Sequence, residues 1–207
     1  PANTSIQWYS SQVGGTPIAS GNNFTTPVLN STTTYFVSTN AIGGNTTIAA
    51  DESDQSGIGL FFNVTSEMLL NSVQVESEGS GFVTVQVFGP GGASMANMPP
   101  IVFPLANGLN TLNLGWLIPV GNGYSLVATA LSHDVHLTTT TENFSWPFGL
   151  GGFGSITGQV GSTNQYVYFY NWNISSPRIP VTATISQNTN VTSTVSACDS
   201  YTWSVNG

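Results

Sequence analysis

The sequence contains very little charge of either sign. Its 207 residues include no lysine, one arginine (Arg178) and nine acidic residues, and the formal net charge is -8. Charged residues make up 5% of the chain, against roughly 25% in an ordinary soluble domain. A protein with one cation cannot neutralise a row of phosphates, which excludes nucleic-acid binding. It also lacks the basic patch that holds proteins on anionic membranes.

Cysteine and long apolar runs are equally scarce. Cys198 is the only cysteine, so no disulfide closes within these residues. No run approaches the ~18 consecutive apolar residues that span a bilayer. The sequence therefore predicts no membrane insertion.

The abundant residues are threonine, serine, asparagine, glycine and apolar side chains. Hydrophobic residues make up 40% of the chain and aromatic residues 11%, enough to build a packed core. β-branched and aromatic residues favour strands, while glycine, asparagine and proline favour turns. The composition predicts an all-β protein. Its charge-poor surface is typical of extracellular proteins.

Several segments show the patterns of individual strands. Val83, Val85 and Val87 alternate with other side chains at the period of a strand. The run Thr32–Val37 predicts a strand by its β-branched residues, and Phe24–Leu29 predicts a short strand interrupted by proline. The segment 166–172 predicts a dense aromatic strand. Its tyrosines at 166, 168 and 170 would lie on one face, where core packing is favoured over sugar binding.

Four short runs resemble an Ig-like repeat of large secreted proteins of gliding, surface-living bacteria. They are Ile6-Gln7-Trp8-Tyr9, Gly14-Gly15-Thr16-Pro17-Ile18, Phe24-Thr25-Thr26-Pro27 and Thr32-Thr33-Thr34-Tyr35-Phe36-Val37. A fifth run, Arg178-Ile179-Pro180-Val181-Thr182-Ala183-Thr184-Ile185, is similar to the closing strand of that repeat. The resemblance implies that the Ig-like sandwich closes only after residue 178.

The resemblance therefore implies a discontinuous domain organisation. Residues 1–40 and 177–186 would form an incomplete Ig-like β-sandwich, and residues 41–176 an inserted jelly-roll-like β-sandwich of about eight strands. Residues 187–207 would begin a following repeat or supply donated strands, because Ala197–Trp203 looks like the opening of a further adhesin repeat. The predicted fold class is all-β, an Ig-like β-sandwich interrupted by an inserted jelly-roll-like β-sandwich.

The same resemblance points to large cell-surface adhesins, including the SprB-type gliding-motility adhesins. It implies an extracellular, non-enzymatic segment of a cell-surface filament or giant repeat adhesin. Neighbouring copies or repeats would contact each other head-to-tail, since a sandwich with missing strands has open edges. The alternative is a carbohydrate-binding module of a secreted multidomain protein, with surface glycans as partners.

Three acids in four residues are the candidate metal site. Asp51, Glu52 and Asp54 offer the oxygen ligands that calcium prefers. Their spacing is not that of an EF-hand, and a solvated loop at a domain junction explains them as well. The expectation is no obligatory cofactor, with calcium as the one candidate ion.

The segment His133-Asp134-Val135-His136 raises the alternatives of a metal site or a catalytic pair. Residues three apart in a strand point to opposite faces, and no nearby cluster completes a tetrahedral zinc site. Two surface or half-buried histidines near a turn are therefore the favoured interpretation. No catalytic residues are predicted.

Aromatic residues in one loop are the candidate glycan site. Phe144, Trp146 and Phe148 lie in a predicted loop rich in aromatic residues and glycine. Sugars stack on aromatic faces, and the loops of a sandwich commonly bind ligands. The sequence predicts that these three rings are the best exposed candidates for binding a glycan.

Overall fold

The computed structural model describes residues 3–48, 51–53, 55–140, 145–161 and 165–186, and these form two antiparallel sheets stacked as a β-sandwich. Apart from one 3-10 turn at Pro90–Gly92, the described residues contain no helix. The predicted all-β class is confirmed. The strands are β1 Asn3–Tyr9, β2 Ala19–Ser20, β3 Thr33–Gly43, β4 Asp51–Ser53, β5 Ile58–Val64, β6 Met68–Glu78, β7 Gly81–Gly89, β8 Ala93–Ser94, β9 Ile101–Leu105, β10 Gly108–Ile118, β11 Gly121–Leu131, β12 His136–Thr140, β13 Phe148–Gly149, β14 Gly154–Val160, β15 Tyr166–Val167, β16 Tyr170–Ser175 and β17 Ile179–Ala183.

The first sheet has ten strands and contains both ends of the described chain. Its main path runs β15-β12-β6-β16-β3-β1-β2, while β10 pairs with β6, β17 with β3 and β4 with β12. Strand β3 pairs along one side with β1, from Asn3 opposite Ile42 to Tyr9 opposite Phe36. Along its other side it pairs first with β17 and then with β16.

The second sheet has seven strands in the path β13-β14-β5-β11-β7-β8, and β9 also pairs with β7. A short hairpin follows the valine strand, and in it Phe88 lies opposite Ser94 across the Pro90–Gly92 turn. Gly91 takes a positive φ of 71° in this turn, a backbone conformation that glycine adopts without steric cost.

The core lies between the two sheets and follows the alternation of the strands. Along β10, residues 112, 114, 116 and 118 are buried and the residues between them are exposed. In the second sheet, β5 buries Leu60, Phe62 and Val64. Burial of each such side chain contributes about 1.5–3 kcal/mol, so this alternation fixes which face of each strand is inward.

Strand β3 continues through the boundary expected near residue 40. It runs to Gly43 without interruption and pairs with β17 at one end and β16 at the other. Residues 179–183 thus pair with residues 33–37 of β3, and the resemblance likewise implies that the two segments belong together. The division into an Ig-like part and an inserted part stays a prediction. The expected following repeat, residues 187–207, lies outside the described residues.

The segment Phe24–Leu29 is not a strand, contrary to the prediction. Pro27 has no backbone N–H to give to a ladder. Phe24 instead packs its ring between Trp8, at 5.5 Å between centroids, and Tyr35, at 4.9 Å. The apolar character that suggested a strand belongs to a loop that covers part of the first sheet.

The aromatic segment 166–172 is two short strands rather than one. Tyr168 has a φ of 61° and Asn171 a φ of 47°; the first left-handed conformation separates β15 from β16, and the second lies within β16, where the register with β6 is irregular. The predicted alternation of two faces is therefore wrong. The residues from Tyr166 to Tyr170 are all fully buried, so the prediction that most of these rings are core is confirmed.

Among the described residues, no helix is long and apolar enough to cross a membrane.

Candidate binding surfaces

The acidic candidates lie in a short strand rather than in a loop. Strand β4 pairs with β12, where Thr139 is opposite Asp51 and Thr138 is opposite Glu52. Adjacent residues of a strand point to opposite faces, and Asp54 lies outside the described residues. In the part of the chain that the structure describes, no group of three or more His, Cys, Asp or Glu side chains is placed to hold a metal ion. Calcium binding by these acids stays a prediction.

His136 begins β12, whereas His133 lies in the turn before it. The Nδ1 atom of His133 lies 3.0 Å from Oδ1 of Asp134, and both side chains are almost fully exposed. His136 is half-buried within β12 and lies opposite Glu78. An exposed ion pair of this kind contributes little to stability. The placement agrees with the interpretation of surface and half-buried histidines near a turn.

The aromatic loop packs against the core. Trp146 stacks on Tyr166 with 5.8 Å between ring centroids, and Phe148 meets the same tyrosine edge-on at 4.8 Å. Both rings are partly buried, and Phe144 lies outside the described residues. One face of the indole is therefore already in contact with protein. Glycan binding at this loop stays a prediction.

Tyr166 is the centre of that aromatic cluster. Its hydroxyl accepts a hydrogen bond from the Asn45 N–H at 3.0 Å and donates one to the Phe169 carbonyl at 2.8 Å. The indole N–H of Trp172 donates to the same carbonyl at 2.9 Å. Burial raises the pKa of Tyr166 above its ordinary value of about 10. The hydroxyl is a structural link between β15 and the loop after β3.

The single arginine is used within the chain. The guanidinium of Arg178 lies 3.3 Å from the centre of the Tyr9 ring. Its Nη1 donates to the carbonyls of Ser11 at 2.8 Å and Gly14 at 2.6 Å. These contacts connect the residue before β17 to the turn after β1. The partners of the cation are therefore an aromatic ring and two backbone carbonyls, all of them uncharged.

The first sheet carries a partly exposed apolar face where β1, β3 and β17 lie side by side. Trp8, Val37 and Ile179 are directly opposite one another, and Val181 lies opposite Tyr35 in the next row. Residues directly opposite on antiparallel strands share a face. We call these five side chains the open face.

The open face is only partly covered by the described residues. Ile179 is 60% exposed and Val181 40% exposed, whereas Tyr35, beneath the ring of Phe24, is 8% exposed. Apolar side chains on neighbouring strands normally face the second layer of a sandwich. The sequence patterns predict the strands but not this face, because only the register of β17 against β3 brings Ile179 beside Val37.

Comparison with known proteins identifies one part of the chain. Residues 1–52 match the family model described as Ig-like domain CHU_C associated. The match covers about a quarter of the chain and includes β1, β2, β3 and part of β4. Ig-like domains of this kind are typical of extracellular adhesive or structural modules. No curated protein and no protein of solved structure matches the chain significantly.

Proposed function

We propose that this chain is an extracellular structural and adhesive segment of a cell-surface filament or giant repeat adhesin, serving attachment or gliding on surfaces. Three features support the proposal. Residues 1–52 match an Ig-like family, the chain carries one cation in 207 residues, and the sheet that contains the matched strands has an apolar face that the described residues cover only in part. The open face is the observation that carries the proposal.

The open face requires a partner layer. A sheet that leaves Ile179 exposed beside half-buried Trp8 and Val37 loses part of the stabilisation of apolar burial, which is about 25 cal/mol per Å². Strands from a neighbouring copy or repeat would restore that layer. Because the covering strands would belong to a different surface from the one they cover, the contact is heterologous. Heterologous contacts that do not close generate filaments.

Face-to-face packing fits β17 better than addition of a further strand at its edge. The strand contains Pro180, which removes one backbone donor. Natural edge strands use proline in this way to resist further pairing. The side chains of Ile179 and Val181 remain available to a second sheet packed against the open face. Load along the filament would then pass through buried side chains at each junction.

The proposed role is mechanical and involves no catalysis. All-β Ig-like domains are typically non-enzymatic. Within the described ranges, the acids and histidines are dispersed, and the histidine with a described carboxylate contact, His133, is fully solvated. A general acid or base needs a positioned partner and an environment that tunes its pKa.

The test is association of the purified chain followed by sedimentation velocity over a range of concentrations. We expect reversible, open-ended association of the wild type, since each copy carries an apolar face that the described residues cover only in part. Ile179→Thr should weaken this association about tenfold. Val102→Thr is the matched control, because Val102 is also 60% exposed but lies in β9 of the second sheet.

Two results would contradict the proposal. One is a strictly monomeric chain at every concentration, and the other is an equal loss of association in the two variants. The latter result would assign association to general surface hydrophobicity. Thermal unfolding of each variant establishes that the substitution at residue 179 leaves the sandwich folded.

A carbohydrate-binding module of a secreted multidomain protein is the second candidate function. An uncharged cleft on the second sheet, lined by residues that include Phe61, Phe88 and Ser125, favours it. This role does not exclude the first, because an adhesive filament needs a ligand as well as a scaffold.

A further inference from the structure

The outer face of the second sheet holds a cleft that is distinct from both the open face and the aromatic loop. Its volume is about 540 Å³, within the 300–1,000 Å³ range of small-molecule sites. The side chains that shape it come from β5, β7, β11 and β14. They are Phe61, Phe88, Ser125, Val127, Thr129 and Val160.

The register of three strands produces the cleft. Phe61 of β5 lies opposite Ser125 of β11, and Ser125 lies opposite Phe88 of β7. The two phenylalanines therefore flank a serine, with their backbones two strand spacings, roughly 10 Å, apart. The small side chain between two large ones leaves a slot with a phenyl ring on each side.

The composition of this face differs from that of an ordinary solvated sheet face. The outer face of an antiparallel sheet usually alternates to polar residues. Here Phe61 is 40% exposed, and the next row places Val160 and Val127 on either side of Gly59. A contiguous apolar depression on a solvated face is a mark of a binding site.

The rim of the cleft is low and open. Gly57, Gly91 and Gly123 line it, each with a positive φ, and a Cβ atom added at any of them would meet nothing within 4 Å. No bulky side chain therefore closes the slot at these positions. A ligand longer than the slot can extend past the rim, as a polymer would.

We infer that this cleft binds a neutral carbohydrate chain, with a sugar ring seated between Phe61 and Phe88. Among the described residues that line the cleft, none is charged, which disfavours phosphorylated, sulfated or ionised ligands. A pyranose ring presents an apolar C–H face to an aromatic ring. Its hydroxyl groups can hydrogen-bond with the hydroxyl of Ser125 and can donate to the hydroxyl of Thr129, whose own proton goes to the Thr84 carbonyl at 3.3 Å.

This inference supplies a ligand class for the adhesive role proposed above and rests on it for its biological setting. The two can fail separately. The open face lies on the first sheet and is tested by association of the chain. The cleft lies on the second sheet and is tested by ligand binding to the dilute monomer.

The experiment is a titration of the ¹⁵N-labelled chain with neutral oligosaccharides, followed by the amide resonances of the rim glycines. The probes are cello-, laminari-, manno- and xylo-oligosaccharides, with a proline-rich peptide as the competing apolar class. We expect at least one oligosaccharide series to shift the amides of Gly57, Gly91 and Gly123. The affinity should rise with chain length, because the rim is open.

Three substitutions separate ring stacking from general hydrophobicity. Phe61→Leu should weaken sugar binding about tenfold, equivalent to ~1.4 kcal/mol, while Phe61→Tyr should retain it. Phe82→Leu is the matched control, since Phe82 is 44% exposed on the same face of the same sheet but does not line the cleft. It should leave binding unchanged.

Three outcomes would overturn the inference. The first is the absence of rim shifts with every oligosaccharide series. The second is equal weakening in the Phe61→Leu and Phe82→Leu variants, and the third is binding of the proline-rich peptide alone. Thermal unfolding of each variant shows whether a loss of binding reflects a loss of fold. The Phe61→Tyr variant keeps the test informative if Phe61→Leu fails to fold.

Discussion

Replacing Tyr166 by phenylalanine should destabilise the sandwich, because both hydrogen bonds of the hydroxyl are lost and one of them leaves a backbone donor unpaired. The substitution keeps the ring contacts with Trp146 and Phe148 and removes only the hydroxyl. The Phe169 carbonyl retains its bond from Trp172 at 2.9 Å, whereas the Asn45 N–H loses the acceptor it has at 3.0 Å. Leaving a donor unpaired at a buried site costs about 1–3 kcal/mol.

The loss should appear as a lower unfolding temperature in calorimetry. For a chain of this size, each kcal/mol lowers Tm by roughly 2–4 °C. Tyr35→Phe is the matched control. Tyr35 is also a buried tyrosine at 8% exposure, but among the described residues its hydroxyl has no hydrogen-bond partner. Equal stability of the Tyr166→Phe and Tyr35→Phe proteins would refute the assigned role of the hydroxyl.

Three further predictions concern pH, the single cation and two glycines. Since the pKa of Tyr166 is raised in the fold, the unfolded chain releases this proton first as pH rises. Stability should fall above about pH 10 by up to ~1.4 kcal/mol per pH unit, and less steeply in Tyr166→Phe, as urea unfolding at each pH would show. Arg178→Met should cost about 1–3 kcal/mol in urea unfolding, because the carbonyls of Ser11 and Gly14 lose a charged donor; an unfolding free energy equal to that of the wild type would contradict this contribution. Gly154→Ala should cost on the order of 3 kcal/mol, because its Cβ would lie 2.0 Å from the Asn63 carbonyl oxygen. Gly158→Ala, in the same strand with nothing within 4 Å of the Cβ, should change Tm little.

The strands with regular alternation could be predicted from sequence because burial of every second side chain determines them. In β7, Val83, Val85 and Val87 are all fully buried, as their period of two requires. The segment 179–183 could also be predicted as a strand despite Pro180, because β17 pairs on one side with β3. Proline is tolerated in such a strand.

The errors arose where tertiary contacts override local preference. Phe24 is apolar because it covers Trp8 and Tyr35, not because its segment pairs with a strand. The positive φ values of Tyr168 and Asn171 are held by the packed core around them and have no sequence signal. Strand β4 is polar, Asp-Glu-Ser, and its pairing with β12 depends on a partner distant in sequence.

The candidate binding surfaces were less predictable than the strands. Residues such as Phe61 and Phe88 carry no motif, and they form a cleft only because Ser125 lies between them in the sheet. The open face likewise depends on the register of β17. Alternation assigned a strand residue to one face or the other, but it could not determine which face lacks a covering layer.

The most direct test of the central claim is the mass of the native polypeptide recovered from the surface of intact cells. Cells of the source organism are labelled with a membrane-impermeant biotin reagent directed at carboxyl groups, because the chain has no lysine. The captured proteins are then probed under denaturing, reducing conditions with an antibody against this chain. The account predicts a surface-labelled polypeptide many times larger than the 21.7 kDa of these residues. Detection only in the unlabelled intracellular fraction would contradict it.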